Sequence, residues 1–389
     1  MNTKFYFDFR DIFRAGRLGF KGKKMMIHFL GLMLGYLIYE ALTYLSLISS
    51  GAGGFWAKYG LRPVCLFEGS ASGLPAATKI VMAIGCFIWV IIYYLFSTAA
   101  SKVAVEELRG DDFYSMKAAI KFACKRWKSI FVTMLALVFI FIFCLFFPSL
   151  VGLLDLIPGV EQAAEHAGTP ITTFLTIPVY FMGLFMVLVI LALLFGLLLI
   201  PAIVAVTGED VFETVYQLFS TIWNQPWRLI VYGSLLKAVI CLGAAVFAAL
   251  SVVGMCIAFL PSTLLANQDS YYFADVIARS LRIVGVSPDV IGEIPGASSV
   301  SGMPWTLDIA TFFLFASLIM VAAIVVSYPL SIISSGTTIL YVILRKKTSD
   351  EDMLEVEEEE EMDLGTADEP EEETAEKSAE AEEETEEEE

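Results

Sequence analysis

Six long apolar runs constrain this chain more than any other feature of its sequence. Each run reaches the roughly 20 residues that a helix needs to cross the hydrocarbon core of a bilayer. The apolar fraction is 57% and the mean hydropathy is +0.71, whereas soluble domains are about 45–50% apolar. We therefore predict an all-α polytopic membrane protein with six transmembrane helices. The runs cover residues 26–49, 77–99, 129–149, 171–206, 229–260 and 307–344.

The last three runs are longer than a single crossing requires. They contain Pro178, Pro201 and Pro329, so kinks, tilt or extension beyond the bilayer are expected. Splitting the last run in two would need a tight polar turn. Ser334-Ser335-Gly336 is a poor turn in so apolar a setting, and we predict one helix there.

The net charge of −18 combines two unlike parts of the chain. Residues 350–389 hold 24 Asp/Glu and one Lys, a net charge of −23, while the other 349 residues hold 24 Lys/Arg and 19 Asp/Glu, a net charge of +5. The acidic part has too little apolar material to fold. We predict three regions: a basic amphipathic segment over 1–24, a six-helix transmembrane domain over 25–348, and a disordered acidic tail over 349–389.

The distribution of Lys and Arg predicts the orientation, because cytoplasmic loops are enriched in these residues. Residues 1–24 and 100–128 carry seven Lys/Arg each, Arg345-Lys346-Lys347 closes the last run, and the 150–170 loop has none. The sequence therefore predicts a multi-pass protein of the cell (inner) membrane with both termini in the cytoplasm.

Residues 2–24 combine basic side chains with aromatic and aliphatic residues at roughly helical spacing. This pattern is typical of a helix that lies in the interface of an anionic leaflet. It also suits a helix that packs on the cytoplasmic face of the protein itself, and the sequence leaves both interpretations open. The apolar positions are Phe5, Phe9, Ile12, Phe13 and Phe20.

A charged segment occurs twice between apolar runs. The first copy runs from Gly110-Asp111-Asp112 to Trp127-Lys128, and the second from Gly208-Glu209-Asp210 to Trp227-Arg228. We predict that runs 2–3 and 4–5 are related helix hairpins, each joined by a cytoplasmic amphipathic helix. A folding unit used twice explains the repeat, and so does a gate or a lipid-contact collar.

Each copy has a predicted cap and a predicted apolar face. Asp112 is expected to cap the first helix, and Asp210 with Glu213 resembles a capping box for the second. The apolar positions are Phe113, Met116, Ile120, Ala123 and Trp127 in the first copy and Phe212, Val215, Phe219 and Ile222 in the second.

Only the first copy has a row of lysines. Lys117, Lys121 and Lys125 recur at four-residue intervals, and Lys128 follows. A helix in the headgroup layer would place these four lysines at lipid phosphates, so membrane lipids are predicted partners. The acidic tail is only solvating, or it is a docking segment for a basic protein partner, or it masks the basic collar that these lysines form. Its negative charge argues against nucleic-acid binding.

Glu40 and Lys237 are the two ionisable residues that interrupt spans. Buried charges in a bilayer are costly and often functional. Glu40 lies about 24 Å beyond Lys24 and Lys237 about 13 Å beyond Arg228, at 1.5 Å per residue. A direct pair would need stretched side chains or tilted helices. Alternatively, each side chain reaches the nearer membrane surface, with Glu40 directed outward and Lys237 towards the cytoplasm.

The sequence contains no motif for catalysis, a metal or a cofactor. Cysteine spacing fits no metal site, the two histidines are His28 and His166, and nucleophile, zinc-protease, P-loop and dinucleotide patterns are absent. Cys65 and Cys256 are a candidate disulfide near the outer face. The outer-loop residues Asp155, Glu161, Glu165 and His166 are interpreted as solvated surface groups.

The end of the sixth run carries a family resemblance. Residues 339–347 read Ile-Leu-Tyr-Val-Ile-Leu-Arg-Lys-Lys, and Leu354 follows. Together with Phe9-Arg10-Asp11-Ile12 and the Gly-acidic loops, this resembles a broad bacterial family of six-helix membrane proteins that includes the membrane domain beside glycerophosphodiester phosphodiesterases. The family pattern has an aspartate where this chain has Ile343. The resemblance implies a membrane domain and, without a catalytic domain, no phosphodiesterase activity.

Taken together, these features favour a non-enzymatic integral membrane protein. Its function is predicted to be membrane organisation or partner docking through the basic cytoplasmic collar and the acidic tail. The alternative is a transporter or channel for a small or lipidic solute, and a membrane-embedded enzyme ranks third. The sequence does not indicate an oligomeric state.

Overall fold

The computed structural model describes residues 5–51, 74–153, 174, 176–265, 276–277, 280, 305–350 and 353–354. Within these residues the chain forms helices and no strand. Four of the helices are short: α1 (Phe9–Ile12), α2 (Arg14–Gly19), α5 (Met116–Lys125) and α8 (Val211–Asn224). Six are long: α3 (Gly22–Ser49), α4 (Ala76–Arg109), α6 (Trp127–Leu153), α7 (Thr176–Thr207), α9 (Pro226–Leu265) and α10 (Trp305–Ser349).

Each of the six long helices is long and apolar enough to cross a membrane. They coincide with the six apolar runs, so the predicted all-α polytopic membrane fold with six spans is confirmed. The last run forms the single helix α10, with Pro329 inside it. Pro201 likewise lies inside α7.

The most extensive contacts between neighbouring spans join α3 to α4, α6 to α7, and α9 to α10. These are the pairs connected at the end of the bundle opposite the first and last described residues, Phe5 and Leu354. By contrast, α4 makes few contacts with α6, and α7 makes few or none with α9. The two spans of each predicted hairpin are therefore consecutive in the chain but pack mainly on other helices.

The repeat is clearest where α4 and α7 end. Gly110 has a φ of +108° and Gly208 a φ of +66°, a left-handed conformation that glycine adopts without a steric penalty. At the first of these ends, the Asp111 N–H donates to the Glu106 carbonyl at 2.9 Å. Each glycine thus ends one span and turns the chain into the following short helix.

The second half of α10 forms the centre of the bundle. It packs against α2, α3, α4, α7 and α9, and nearly every residue from 331 to 344 is buried. The apolar cores on either side of it include Tyr341, Ile339 and Ile343. Residues 339–344 of the family resemblance therefore lie in the core, whereas its Lys347 and Phe9 are exposed.

The N-terminal segment packs one face on the protein and leaves the other exposed. Ile12 and Ala15 are fully buried in a cluster with Leu236 and Ile332. Phe13 and Phe20 are among its exposed aromatic residues. The packed interpretation therefore holds for the inner face, and lipid contact stays a prediction for the exposed one.

Glycines allow α3 and α4 to pack closely. A Cβ on Gly31 would lie 2.7 Å from the Phe96 ring, and a Cβ on Gly35 would overlap the Trp89 indole. Small residues at such contacts let transmembrane helices approach each other. This packing positions the polar residues of α3 against α4.

We expect Gly35→Ala to lower the free energy of unfolding by about 1–3 kcal/mol, the usual cost of overpacking. Gly233→Ala is the matched control, because its Cβ would meet no atom within 4 Å and alanine favours helix by up to about 1 kcal/mol. Reversible unfolding in mixed micelles measures both. Equal effects of the two substitutions would contradict the close α3–α4 contact.

Candidate functional site at the basic end

Both described ends of the chain meet at one end of the bundle, which we call the basic end. It comprises α1, α2, α5, α8, the start of α3 and the end of α10. Lys347 Nζ lies 3.1 Å from Asp8 Oδ1, which joins the end of α10 to the N-terminal segment. The predicted lipid-contact lysines also lie at this end.

Helix α5 begins at Met116, too late for Asp112 to be its N-cap. Its N-cap is Ser115, whose hydroxyl accepts the Ala118 N–H at 3.1 Å. The predicted cap, Asp112, is wrong because the helix starts beyond its reach. Asp112 instead accepts a hydrogen bond from Lys21 Nζ at 2.6 Å.

The buried face of α5 is narrower than the predicted apolar face. Ala119 and Ala123 are buried, and Met116 and Ile120 pack beside them. Phe113 is 92% exposed because it precedes the helix. Trp127 is also exposed, since it opens α6 after the break between the two helices. These two aromatic residues therefore do not belong to the buried face.

The four predicted lysines share the exposed side of this region. Lys117, Lys121 and Lys125 lie on α5 opposite its buried alanines, and Lys128 lies in the first turn of α6. We call these four residues the lysine collar. Since α5 packs mainly on α4 and only weakly on α6, the collar lies at the edge of the bundle.

The second copy, α8, begins as predicted but is capped differently. Asp210 is its N-cap residue, yet its side chain accepts no capping hydrogen bond, and the Glu213 carboxylate accepts the Gln217 amide. The predicted capping box is therefore wrong. The Asp210 carboxylate instead lies 3.6 Å from an Arg126 nitrogen, which links the two copies end to end.

The buried face of α8 is rotated from the predicted one. Phe212 is 81% exposed, whereas polar residues take part in the buried face. The buried residues are Thr214, Gln217, Leu218, Thr221 and Ile222. The prediction failed because it assumed an apolar buried face, while α8 packs under α6, α7, α9 and α10, where polar partners are available.

Gln217 is one such polar residue, and sequence reasoning missed it. Its Oε1 accepts Arg345 Nη1 at 2.7 Å and Tyr341 OH at 3.4 Å. Tyr341 and Arg345 are residues of the family resemblance. The available signal was a four-residue spacing in both helices. Tyr341 and Arg345 are four residues apart in α10, and Glu213 and Gln217 are four apart in α8, so each pair lies on one helix face. This cluster fixes α8 against the end of α10.

A buried ion pair joins the start of α3 to the end of α4. Lys24 Nζ lies 2.7 Å from Glu107 Oε2, and the two side chains are 0% and 2% exposed. The Lys21 ammonium, 42% exposed, lies 3.6 Å from the same oxygen. Lys23 Nζ donates to the Asp112 carbonyl at 2.8 Å. The first lysines of α3 therefore bind the end of α4 and the turn that follows it.

The exposed Asp112 has a pKa below its ordinary value, first because it accepts a hydrogen bond from Lys21 and then because of that lysine's charge. A carboxyl group whose pKa is lower in the folded protein than in the unfolded chain stabilises the fold at a pH above its unfolded-state pKa. This contribution is lost as the pH falls through the folded-state pKa. We expect Lys21→Met to raise the Asp112 pKa towards the ordinary aspartate value in an NMR titration. An unchanged pKa would contradict the pair.

The structure separates the two predicted intramembrane charges. Lys237 is exposed on α9. Glu40 is 6% exposed between spans, and neither of its carboxylate oxygens has a hydrogen-bond partner among the described residues. The expectation that Glu40 reaches the outer surface is wrong, because its side chain is buried within the protein.

A second polar cluster inside the bundle was also missed. His28 Nε2 lies 2.9 Å from Ser334 Oγ, and Ser97 Oγ lies 3.1 Å from the same atom. The Ser101 hydroxyl donates to the Ser334 carbonyl at 3.5 Å. Hydroxyl groups commonly hold transmembrane helices together, and these residues join α3, α4 and α10. The signal was the Ser/Thr-rich stretch 331–338, which contains Ser334-Ser335-Gly336.

A groove of about 620 Å³ opens at the basic end. Three of its lining residues, Arg228, Lys346 and Lys347, are cationic. Lys346 and Lys347 are paired with Asp350 and Asp8, so the lysine collar rather than the groove is suited to binding anions. The lining residues are Phe7, Arg228, Lys346, Lys347, Thr348, Ser349 and Asp350.

Several predicted features lie outside the described residues. They include the outer-loop acids with His166, the partner cysteine Cys65 and the tail beyond Leu354. Cys256 is a free cysteine, so the candidate disulfide with Cys65 is wrong, while the disordered tail stays a prediction. Within the described residues, no group of three or more His, Cys, Asp or Glu side chains is arranged to hold a metal ion.

Comparison of the chain with protein-family models, curated proteins and solved structures finds no match. The resemblance to the six-helix membrane domain therefore depends on its residues alone. Any statement about function must come from the geometry of the basic end and of the bundle interior.

Proposed function

We propose that this is a non-enzymatic protein of the cell (inner) membrane, with both termini in the cytoplasm. In this proposal the lysine collar binds anionic lipid headgroups, and the acidic tail docks a basic protein partner. The observation that carries the proposal is the exposed row of four lysines at the edge of the bundle, beside the exposed Trp127.

Charge and aromatic content both support lipid contact by this surface. A lysine near an anionic membrane surface contributes about 1 kcal/mol of attraction, and tryptophan is enriched at membrane interfaces. Trp223 and Trp227 are exposed in and just after α8. Both copies of the repeat therefore present aromatic side chains, while only the first presents the lysine row.

Lipid selectivity tests this proposal. Wild-type protein in phosphatidylcholine nanodiscs would be titrated with spin-labelled phosphatidylglycerol at low and at high salt. We expect preferential association that weakens as salt screens the lysines, since the Debye length falls from about 10 Å at 0.1 M to about 3 Å at 1 M. Equal association of spin-labelled phosphatidylcholine would contradict selective binding of anionic lipid by the lysine collar.

The tail needs a separate test, because its docking role rests only on its charge of −23. Full-length protein should recover a basic partner in a salt-sensitive manner. Protein carrying a neutral tail of the same length is the control. Equal recovery by the two proteins would reject the docking role and leave the tail as a solvating segment.

A transporter or channel for a small or lipidic solute is the second candidate. The buried polar residues of α3, α4 and α10 favour it, because functional pathways in membranes are lined by polar and ionisable groups. A flux screen on proteoliposomes would compare wild type with Glu40→Gln and Lys237→Met. Flux that is lost in these variants would replace the docking proposal with a transport function.

A further inference from the structure

Three buried oxygen atoms on one face of α3 have no hydrogen-bond partner among the described residues. They are the two carboxylate oxygens of Glu40 and the hydroxyl of Thr43. Glu40 is 6% exposed and Thr43 0% exposed. Buried polar atoms are nearly always paired, and each unpaired one costs about 1–3 kcal/mol, more when charged. Three such atoms within one helical turn indicate that a binding partner completes this place in the fold.

Among the described residues, the surroundings of the three atoms supply more oxygen and no ion pair. Ser46 donates a hydrogen bond to the Thr78 hydroxyl across the α3–α4 contact at 3.2 Å. Tyr36 and Tyr44, one turn on either side of Glu40, lie close enough to interact with its charge. Lys237 is exposed on α9 and forms no ion pair with Glu40 among the described residues.

We propose that Glu40 and Thr43 form a binding site for one small monovalent cation such as Na⁺. Hard cations prefer carboxylate, hydroxyl and carbonyl oxygen. A single carboxylate matches a single positive charge, so the occupied site is neutral. That neutrality removes the cost of an isolated charge inside the bilayer.

Aromatic residues pack between this stretch of α3 and α4. Trp89 lies against Tyr36 and Tyr39, with ring centroids 6.4 Å and 5.7 Å apart. Gly85 lets α4 approach Tyr39, since a Cβ there would lie 3.2 Å from its ring. The low dielectric of such a setting strengthens the attraction between the carboxylate and a bound cation.

The proposal is independent of the lysine collar, which lies at the basic end. Loss of lipid selectivity in collar variants would leave cation binding intact. Equally, loss of cation binding would leave lipid selectivity intact. The two proposals can therefore fail separately.

The test measures binding and stabilisation by Na⁺. Full-length protein in detergent would be heated in NaCl or in choline chloride at equal ionic strength, and equilibrium binding of ²²Na⁺ would be measured in parallel. We expect Na⁺ to raise the Tm of the wild type and to bind with a stoichiometry of one. We expect Glu40→Gln to abolish both effects and Thr43→Val to weaken binding about tenfold, the effect of losing one oxygen ligand worth roughly 1.4 kcal/mol.

Thr133→Val is the matched control, because Thr133 is also fully buried with an unpartnered hydroxyl but lies on α6. It should keep the full Na⁺ response. If Glu40→Gln does not fold, Thr43→Val and the binding assay still decide, since that variant keeps the carboxylate. The site is rejected if wild type shows no Na⁺ response, if Thr43→Val responds like Thr133→Val, or if only acidification stabilises the protein, which would mean that Glu40 is simply protonated.

Discussion

Lys24→Met should lower the free energy of unfolding by about 3–5 kcal/mol, the cost of leaving one member of a buried ion pair without its partner. The uncompensated group is Glu107, whose side chain is 2% exposed. Lys21 compensates poorly, since it lies 3.6 Å from the carboxylate and is itself drawn to Asp112. Reversible unfolding in mixed micelles measures the loss.

Two further variants show whether the pair itself is responsible. Lys24→Met with Glu107→Met should regain most of the lost stability, because apolar replacement of both partners is often neutral or stabilising. Lys21→Met should cost less than about 1 kcal/mol, as expected for a partly exposed ion pair. A double variant as unstable as the sum of its single variants would contradict direct coupling between Lys24 and Glu107.

Neutralising the lysine collar is expected to have the largest effect on function. Replacing Lys117, Lys121, Lys125 and Lys128 with glutamine should reduce phosphatidylglycerol affinity at low salt by roughly 10²–10³-fold, at about 1 kcal/mol per lysine. The nanodisc titration described above measures this, and the difference from wild type should shrink at high salt.

Lys237→Gln is the control for charge removal elsewhere, because Lys237 is exposed on α9 outside the collar. It should leave phosphatidylglycerol affinity nearly unchanged. The four collar residues are exposed, so their replacement should leave stability within about 0.5 kcal/mol of wild type. Unchanged lipid affinity in the fourfold variant would reject the collar as the lipid-binding surface.

The spans could be predicted from sequence because each apolar run by itself meets the length that a bilayer imposes. The glycine-ended repeat could also be predicted, because it is a local sequence pattern. Helix starts are harder to predict: Ser115 and Asp112 are both good capping residues three positions apart, and in the structure Ser115 caps the helix while Asp112 pairs with Lys21.

The polar contacts between helices could not be predicted, because their partners are far apart in the chain. Glu107 is 83 residues from Lys24, and Arg345 is 128 residues from Gln217. In the sequence Lys24 is one of seven basic residues before the first span, and Glu40 is one of two ionisable residues that interrupt spans. Only the helix packing shows that Glu40 is buried and lies apart from the exposed Lys237. The composition of a membrane helix shows that it contains a polar residue, but only the tertiary structure shows what that residue contacts.

Contact between collar lysines and lipid phosphate is the most direct test of the proposed function. Solid-state NMR on ¹⁵N-lysine protein in phosphatidylglycerol bilayers detects ³¹P close to lysine ammonium groups. We predict ³¹P dephasing of lysine signals in the wild type and loss of that dephased component in the fourfold glutamine variant. Lysine signals with the same dephasing in both proteins would contradict the account.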